Sequence, residues 1–392
     1  MRNGPETICR WSASLVAISL IGACGPVAGV IDAGTQDDAG VVPTVKSDRS
    51  LFWVDPVLLD DPQVISFSKV MGVIAADGHG GRLLDSWFHR FSTTQHSERA
   101  LPAQFVAALA SAQGADPTQW ALSGLPFKVT GVHNRTDLAA MTPGGHCGEL
   151  RVSMASEDPT LQPFHILFLF RQPALADDSD AAGVHCRGTA RRWAELSLLD
   201  GAALRTALKA KWAEGFTRQR FLLAETVEFT LAPWEWRQWL PDANGVLENP
   251  PLFQQVDVAK LNVAGALRDE FLTWVKDNAA ALAARTMPFP EKYRAQSIRV
   301  TQGVARPPLS LAGLDAQTAT RFPQLRQQIE LVGCAVCHTA DADFVQTRPD
   351  RTVARFYEKE LLARERYLEQ QARGEKPKAP FGPLQAMPVL PQ

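Results

Sequence analysis

The residues of this chain best suited to chemistry lie at positions 334–338 and read Cys-Ala-Val-Cys-His. C-x-x-C-H is the signature for covalent attachment of a c-type haem. Its two thiols lie close together on one turn of chain, so they can add to the two vinyl groups of one porphyrin. The histidine that follows then presents its imidazole to the iron as the proximal ligand. The motif predicts one covalent haem c, held by Cys334 and Cys337, with His338 bound to the iron.

Three other interpretations of this cysteine pair are open. Cys334 and Cys337 could form a local disulfide. They could be half of a zinc site, although the sequence has no second C-x-x-C and no H-x₃-H pair to complete it. They could also be a thioredoxin-like redox pair, although no βαβ pattern surrounds them. We favour haem, because the histidine that follows the second cysteine completes the attachment signature.

The segment also resembles the class I cytochromes c, in the helix that leads into the motif, in the motif itself and in Met387-Pro388. In that family a methionine some tens of residues downstream is the sixth iron ligand. The resemblance therefore implies Met387 for this role, although a helix normally follows that methionine and here only five residues do. The alternatives are no sixth ligand at all, or one of Met287, His79, His89 and His96.

The N-terminal sequence is typical of an export signal. Residues 1–23 carry a basic start and a short apolar stretch. Residues 21–24, Ile-Gly-Ala-Cys, resemble the lipobox of bacterial lipoproteins, which implies that Cys24 carries a lipid. Gly25 in place of aspartate favours the outer membrane, with the protein facing the periplasm or the cell surface. An ordinary cleaved signal peptide is the alternative. Residues 24–49 are expected to be a disordered tether.

Two further cysteines, Cys147 and Cys186, remain after these assignments. In an oxidising compartment such a pair predicts a disulfide. Both follow a histidine, His146 and His185, so a site with two histidine and two cysteine metal ligands is the alternative.

The elements that must position these residues indicate an α+β fold. We predict a body over residues 50–310, with a helical N-terminal part and a central, mostly antiparallel sheet within residues 127–258 flanked by helices. The apolar periodicity predicts helices at 64–76, 82–91, 102–112, 190–215 and 267–282, and strands around 150–154 and 227–231. The nearly continuous apolar run at 164–170 predicts a strand buried on both faces, and the Asp-Ala-Asn-Gly sequence at 242–245 predicts a hairpin turn.

Residues 311–392 are predicted to form a helical segment that binds the haem. One helix face, Leu325, Ile329 and Val332, leads into the motif. A second helix follows, with Tyr357 and Leu361 on its apolar face. Glu360 and Arg364 are spaced for an ion pair on that helix, and Gly374 is a candidate for its C-terminal stop.

The whole chain resembles exported, cytochrome c-like lipoproteins of unknown function from deltaproteobacteria, myxobacteria among them. The residues that carry this resemblance are 147–151 (Cys-Gly-Glu-Leu-Arg), 233–236 (Pro-Trp-Glu-Trp) and the motif at 334–338. The resemblance implies export, an anchor and a haem, and brings no known activity.

The amino-acid composition indicates which class of partner to expect. The formal net charge is −2, whereas proteins that bind nucleic acid need an excess of basic residues. We therefore expect a redox partner protein, contact with a membrane only through the lipid anchor, and no catalytic residue. The predicted function is one-electron transfer in the cell envelope. The alternatives are a five-coordinate haem enzyme or sensor of gas or peroxide, and a surface-anchored binding protein with a structural haem.

Overall fold

The computed structural model describes residues 42–92, 101–141, 146–161, 164–175, 178, 186–228, 234–252, 255–283, 289–300, 307–330 and 345–375. Within these residues the chain has the predicted α+β fold, with helices that flank one antiparallel sheet. Among the described helices, none is long and apolar enough to cross a membrane.

The sheet has eight described strands. They are β1 (Phe52–Trp53), β2 (Phe127–Arg135), β3 (His146–Ser156), β4 (Phe164–Pro173), β5 (Phe221–Glu228), β6 (Trp234–Pro241), β7 (Leu247–Glu248) and β8 (Ile298–Val300). β1 to β6 lie side by side in chain order, and β7 and β8 both pair with β6. Every pairing is antiparallel, so short connections suffice between neighbours.

Thirteen α-helices are described. They are α1 (Ser47–Ser50), α2 (Pro56–Leu59), α3 (Phe67–Ile74), α4 (Gly80–His89), α5 (Leu101–Gln113), α6 (Arg187–Ala194), α7 (Gly201–Gly215), α8 (Val258–Leu261), α9 (Ala266–Asp277), α10 (Ala279–Ala283), α11 (Ala316–Arg321), α12 (Leu325–Glu330) and α13 (Arg355–Ala372). The predicted helices at 64–76, 82–91 and 102–112 correspond to α3, α4 and α5.

The two faces of the sheet differ in chemistry because side chains alternate along each strand. Leu150, Val152 and Met154 of β3 point into the main hydrophobic core, which the apolar sides of α3, α4, α5 and α7 complete. The opposite side, which we call the His133 face, carries His133 of β2 and its cross-strand neighbour Arg151 of β3. This alternation is the signal that predicts β3 from the sequence.

α13 belongs to the main core although it lies within the predicted haem segment. Tyr357, Leu361, Leu368 and Ala372 fall on one side of this helix and belong to the same hydrophobic cluster, which also includes Phe52 beside His133. Gly374 follows the helix with φ of +79°, and the nitrogens of Gly374 and Glu375 donate to the carbonyls of Gln371 and Gln370 at 3.0 and 2.9 Å. This is the Schellman arrangement of a helix C-terminus, at the predicted stop.

A second hydrophobic cluster lies between residues 256 and 329. Its buried members are Val256, Leu261, Phe271, Val275, Ala279, Leu282, Phe289, Tyr293, Leu309, Leu325 and Ile329. It thus joins α12, the helix that leads into the cysteine motif, to α9 and α10. The predicted boundary at residue 311 runs through this cluster.

Two parts of the fold extend beyond the predicted limits. The predicted tether ends at residue 49, but the described fold begins earlier. Val45 is 3% exposed, and α1 lies at residues 47–50. The sheet also exceeds residues 127–258, because β1 and β8 add strands at 52–53 and 298–300. Such short strands carry too few residues to show a period of two. The predicted hairpin at 242–245 connects β6 and β7.

Candidate functional site

Most of the predicted site residues lie outside the described part of the chain. These are Cys334, Cys337, His338, Met387 and Cys24. Of the alternative sixth ligands, Met287 and His96 also lie outside it. The described residues therefore fix the two ends of the segment that carries the motif, as well as the cysteine pair at 147 and 186.

The chain is anchored on both sides of residues 331–344. On the N-terminal side Leu325 and Ile329 of α12 are buried in the second cluster, and the Glu330 side chain accepts a hydrogen bond from the Leu309 nitrogen at 2.6 Å. On the C-terminal side Thr347 is 1% exposed and its hydroxyl lies 3.1 Å from that of Thr130 in β2. The motif is thus carried by a segment whose ends are fixed to the folded body.

The donor set of this segment fits a c-type haem. Two thiols at positions i and i+3 match two vinyl groups, and the imidazole at i+4 supplies one iron ligand. Zinc would need at least one further ligand of this kind. In the described part of the chain no group of three or more histidine, cysteine or acidic residues could hold a metal ion.

Cys147 and Cys186 form a disulfide in the structure, with 2.11 Å between the sulfurs and 5.2 Å between the Cα atoms. The two residues are 0% and 2% exposed. Because their sulfurs are bonded to each other, they are not thiolate ligands, and the alternative metal site with His146 and His185 loses its sulfur donors. The bond joins the start of β3 to the start of α6.

Asp178 supports the same corner of the molecule. Its carboxylate accepts hydrogen bonds from the nitrogen and hydroxyl of Thr189 at 2.8 and 2.6 Å, and from the Leu175 nitrogen at 2.6 Å. Thr189 is the third residue of α6, so Asp178 caps that helix from a distance. Aspartates at positions 177, 178 and 180 lie close together in the sequence, a pattern that calcium-binding loops also show. Asp178, the one that is described, instead uses its oxygens within the protein.

A buried polar network on the His133 face is the feature that sequence reasoning missed. His133 is fully buried, with Nδ1 2.8 Å from the Tyr357 hydroxyl and Nε2 2.8 Å from the Ser153 hydroxyl. Phe52 stacks on its ring at 4.8 Å. Both ring nitrogens have protein partners, so His133 joins α13 to β2 and β3 rather than presenting a reactive group.

Charged residues extend this network. Arg364 of α13 donates to the Tyr357 hydroxyl at 2.9 Å and to Glu360 one turn earlier, the predicted helix pair. Its Nε lies 3.8 Å from the Asp137 carboxylate. Arg135 donates to both oxygens of the same carboxylate, from Nε at 3.0 Å and from Nη2 at 2.9 Å. Two guanidinium groups therefore share one buried carboxylate. Of this network, only the four-residue spacing of Glu360 and Arg364 can be recognised in the sequence.

The electrostatics of the network follow from its burial. Burial, with the nearby charges of Arg364, Arg151 and Arg135, holds the pKa of His133 well below its ordinary value, so the ring is neutral. Burial also raises the pKa of the Tyr357 hydroxyl. Burial alone would raise the pKa of Asp137, but the two guanidinium groups beside it outweigh this and keep the pKa low.

The tryptophans of β6 serve packing. Trp239 is fully buried and contacts Phe91 and Trp87 in the main core, at ring distances of 4.5 and 6.0 Å. Trp236, on the His133 face, is 8% exposed. It belongs to a small group of buried side chains that we call the edge cluster: Val227, Trp236, Leu252 and Ile298, with Val345 packed against them.

Comparison with known proteins gives no relative: no family model, no curated protein and no solved structure matches this chain.

Proposed function

We propose that this chain is a cell-envelope, cytochrome c-like protein with one haem, which passes single electrons to a partner protein. Thioether bonds from Cys334 and Cys337 hold the haem, and His338 is the proximal ligand. The bound haem supplies a reversible one-electron change at its iron. The single observation that carries the proposal is the spacing of two thiols and an imidazole within five residues.

The positions and the bonding of the cysteines support this proposal. Disulfides persist in oxidising compartments and are rare in the cytosol, and Cys147 and Cys186 are bonded in a buried pair. C-type haem is likewise attached after export. A signal at residues 1–23 and a lipid on Cys24 would supply the export and the anchor. The same compartment thus accounts for all six cysteines, with Cys9 removed in the signal.

The buried contacts at the two ends of the segment that carries the motif also support the proposal. The segment that carries the motif begins at α12 and ends at Thr347, and both ends are held by buried contacts. A haem tethered between them would sit beside a rigid body, which limits its reorientation. Covalent attachment also tolerates an exposed haem edge, which suits exchange with a redox partner.

The absorption spectrum of the reduced, haem-loaded protein tests the function, with and without carbon monoxide. An electron carrier has both axial positions filled, so we expect a low-spin spectrum that carbon monoxide leaves unchanged. A high-spin spectrum that shifts on adding the gas contradicts the proposal and favours the five-coordinate enzyme or sensor. A haem that takes up no electron from reductant favours the binding protein with structural haem.

A further inference from the structure

The turn between α6 and α7 exposes one large apolar side chain. Within this 3₁₀ turn, Glu195–Leu198, Leu196 is 3% exposed, and Leu199 after it packs against the main core. Leu198, between them, is 69% exposed. A single exposed leucine is common on a protein surface, so its role depends on how it is held and on what surrounds it.

The backbone on both sides of Leu198 is fixed by the first helix of the fold. The hydroxyl of Ser197 accepts a hydrogen bond from the Lys46 nitrogen at 2.9 Å. Nη1 of Arg49, in α1, donates to the carbonyls of Ser197 and Leu199 at 3.3 and 2.5 Å. Leu198 is therefore held outward by a fixed turn, with a guanidinium group bonded on either side of it.

Basic residues are concentrated in this part of the chain. Residues 187–220 contain eight basic and three acidic residues, a net charge of +5, whereas the net charge of the whole chain is −2. All other residues together therefore carry −7. Lys46 and Arg192 are exposed, and Arg191 is half-buried. The three acidic residues are Glu195, Asp200 and Glu214, so cations outnumber carboxylates in both α6 and α7.

The two helices contribute to one surface. Trp53 of β1 contacts Trp193 of α6 and Trp212 of α7, each at a ring distance of 5.7 Å. Nζ of Lys211, in α7, lies 4.9 Å from the centre of the Trp193 ring. Burial and the nearby charge of Arg192 lower the pKa of Lys211. We call the exposed leucine and the cations around it the Leu198 surface: Leu198, Lys46, Arg49, Arg191, Arg192 and Lys211.

The chain that comes from Cys24 enters the fold beside this surface. Val42 is the first described residue, and Lys46, four residues later, is already bonded to the turn through its nitrogen. Cys24 precedes Val42 by 18 residues, a length of chain that spans at most about 60 Å. A lipid on Cys24 would therefore keep a bilayer within reach of the Leu198 surface.

We propose that the Leu198 surface binds an anionic phospholipid bilayer. The arginines and lysines would pair with lipid phosphates, and Leu198 would enter the boundary between headgroups and acyl chains. The inference goes beyond electron transfer and takes from the proposed function only the anchor at Cys24. It replaces the expectation that a membrane is contacted through the anchor alone, which rested on the total charge and not on its distribution.

Vesicle sedimentation tests the proposal with the chain from Gly25 to Gln392, which contains every described residue and lacks the lipid. We expect binding to phosphatidylcholine vesicles with about one third phosphatidylglycerol, and release in high salt, because salt screens the charges. Failure to bind these vesicles would overturn the proposal and leave an acidic protein as the partner that the charge fits. Equal binding to pure phosphatidylcholine would also overturn it. Binding does not require haem, so a chain without haem would refute the proposed function and leave this test valid.

Two pairs of variants locate the contact. Leu198→Ser should lower the partition coefficient about tenfold, whereas Leu362→Ser, which changes a leucine of α13 that is 60% exposed, should leave it unchanged. Arg191→Glu/Arg192→Glu should lower it by roughly tenfold or more. The matched double variant Lys276→Glu/Arg326→Glu changes the net charge equally at side chains that are 56% and 57% exposed, and should have a much smaller effect. Equal effects within either pair would overturn the assignment, and circular dichroism verifies that each variant is folded.

Discussion

At the scale of residues, the network on the His133 face pairs its buried histidine, tyrosine and charged side chains with one another. Asp137 lies between two guanidinium groups, and His133 between two hydroxyls. Groups of this kind fix the position of α13 on the sheet more than they add free energy, because each charge loses its hydration on burial. Because most of their partners lie on distant elements, only the local pair of Glu360 and Arg364 can be predicted from the sequence.

Arg364→Met tests the shared anion. It removes one cation from a buried cluster, which typically costs about 3–5 kcal/mol of unfolding free energy. We expect a value near the lower end, because Arg135 remains. Urea denaturation followed by circular dichroism measures it. Arg373→Met, at the C-cap position that follows α13, removes an arginine whose side chain is 43% exposed, and should change stability by no more than about 0.5 kcal/mol. Equal effects of the two variants would contradict the network.

His133 predicts a pH dependence of folding. Its pKa in the folded protein is well below the ordinary value of about 6.5. Below that pH the unfolded chain binds a proton that the folded chain does not, so stability falls as pH is lowered. We expect the unfolding free energy to drop between pH 7 and pH 5, and to drop less in His133→Gln. His89→Gln should retain the wild-type slope, and an unchanged slope in His133→Gln would contradict this account.

At the scale of elements, the sequence predicts long helices and alternating strands well and their packing partners poorly. β3 and α13 have clear periods and β4 is a nearly continuous apolar run, so the existence of all three follows from local pattern. That α13 packs in the main core, beside α6, depends on contacts with residues far away in sequence. β1 and β8 are too short for any period. The site divides in the same way, since a contiguous motif can be read directly, whereas the His133 network depends on contacts between distant elements.

The stop of α13 gives an element-scale prediction. Gly374→Ala places a Cβ at φ of +79°, within 3.2 Å of the Arg187 side chain, and should lower the unfolding free energy by about 1–2 kcal/mol. Gly72→Ala is the matched change within α3, where nothing lies within 4 Å of the new Cβ. It should instead raise stability by about 0.5–1 kcal/mol. Thermal denaturation of both compares them, and the same sign for both would refute the assignment of the stop.

The disulfide between β3 and α6 gives a second prediction at this scale. Replacing Cys147 and Cys186 together with alanine should cost about 2–4 kcal/mol, because the bond restricts the unfolded chain. Wild type should lose a similar amount when it is unfolded and refolded in reductant, and the double variant should lose none. Thiol alkylation of the denatured, unreduced protein reports the bond directly. Modification of both cysteines in wild type would show that it is absent.

At the scale of the whole molecule, the structure is a sheet with two cores, and the segment with the haem motif connects them. α12 enters from the second cluster, and Thr347 leads into α13 on the main core. A cofactor held there would be attached to both parts of the body. Under the proposed function, the large α+β body would support one redox centre and would offer the surface that a partner protein recognises.

Covalent attachment of haem at Cys334 and Cys337 is tested by a haem stain after denaturing electrophoresis. The protein is made with an export signal and a haem-attachment system, beside two double variants, Cys334→Ala/Cys337→Ala and Cys147→Ala/Cys186→Ala. We expect a stained band for wild type and for the second variant, and none for the first. Exported, folded wild-type protein that takes no stain would contradict it.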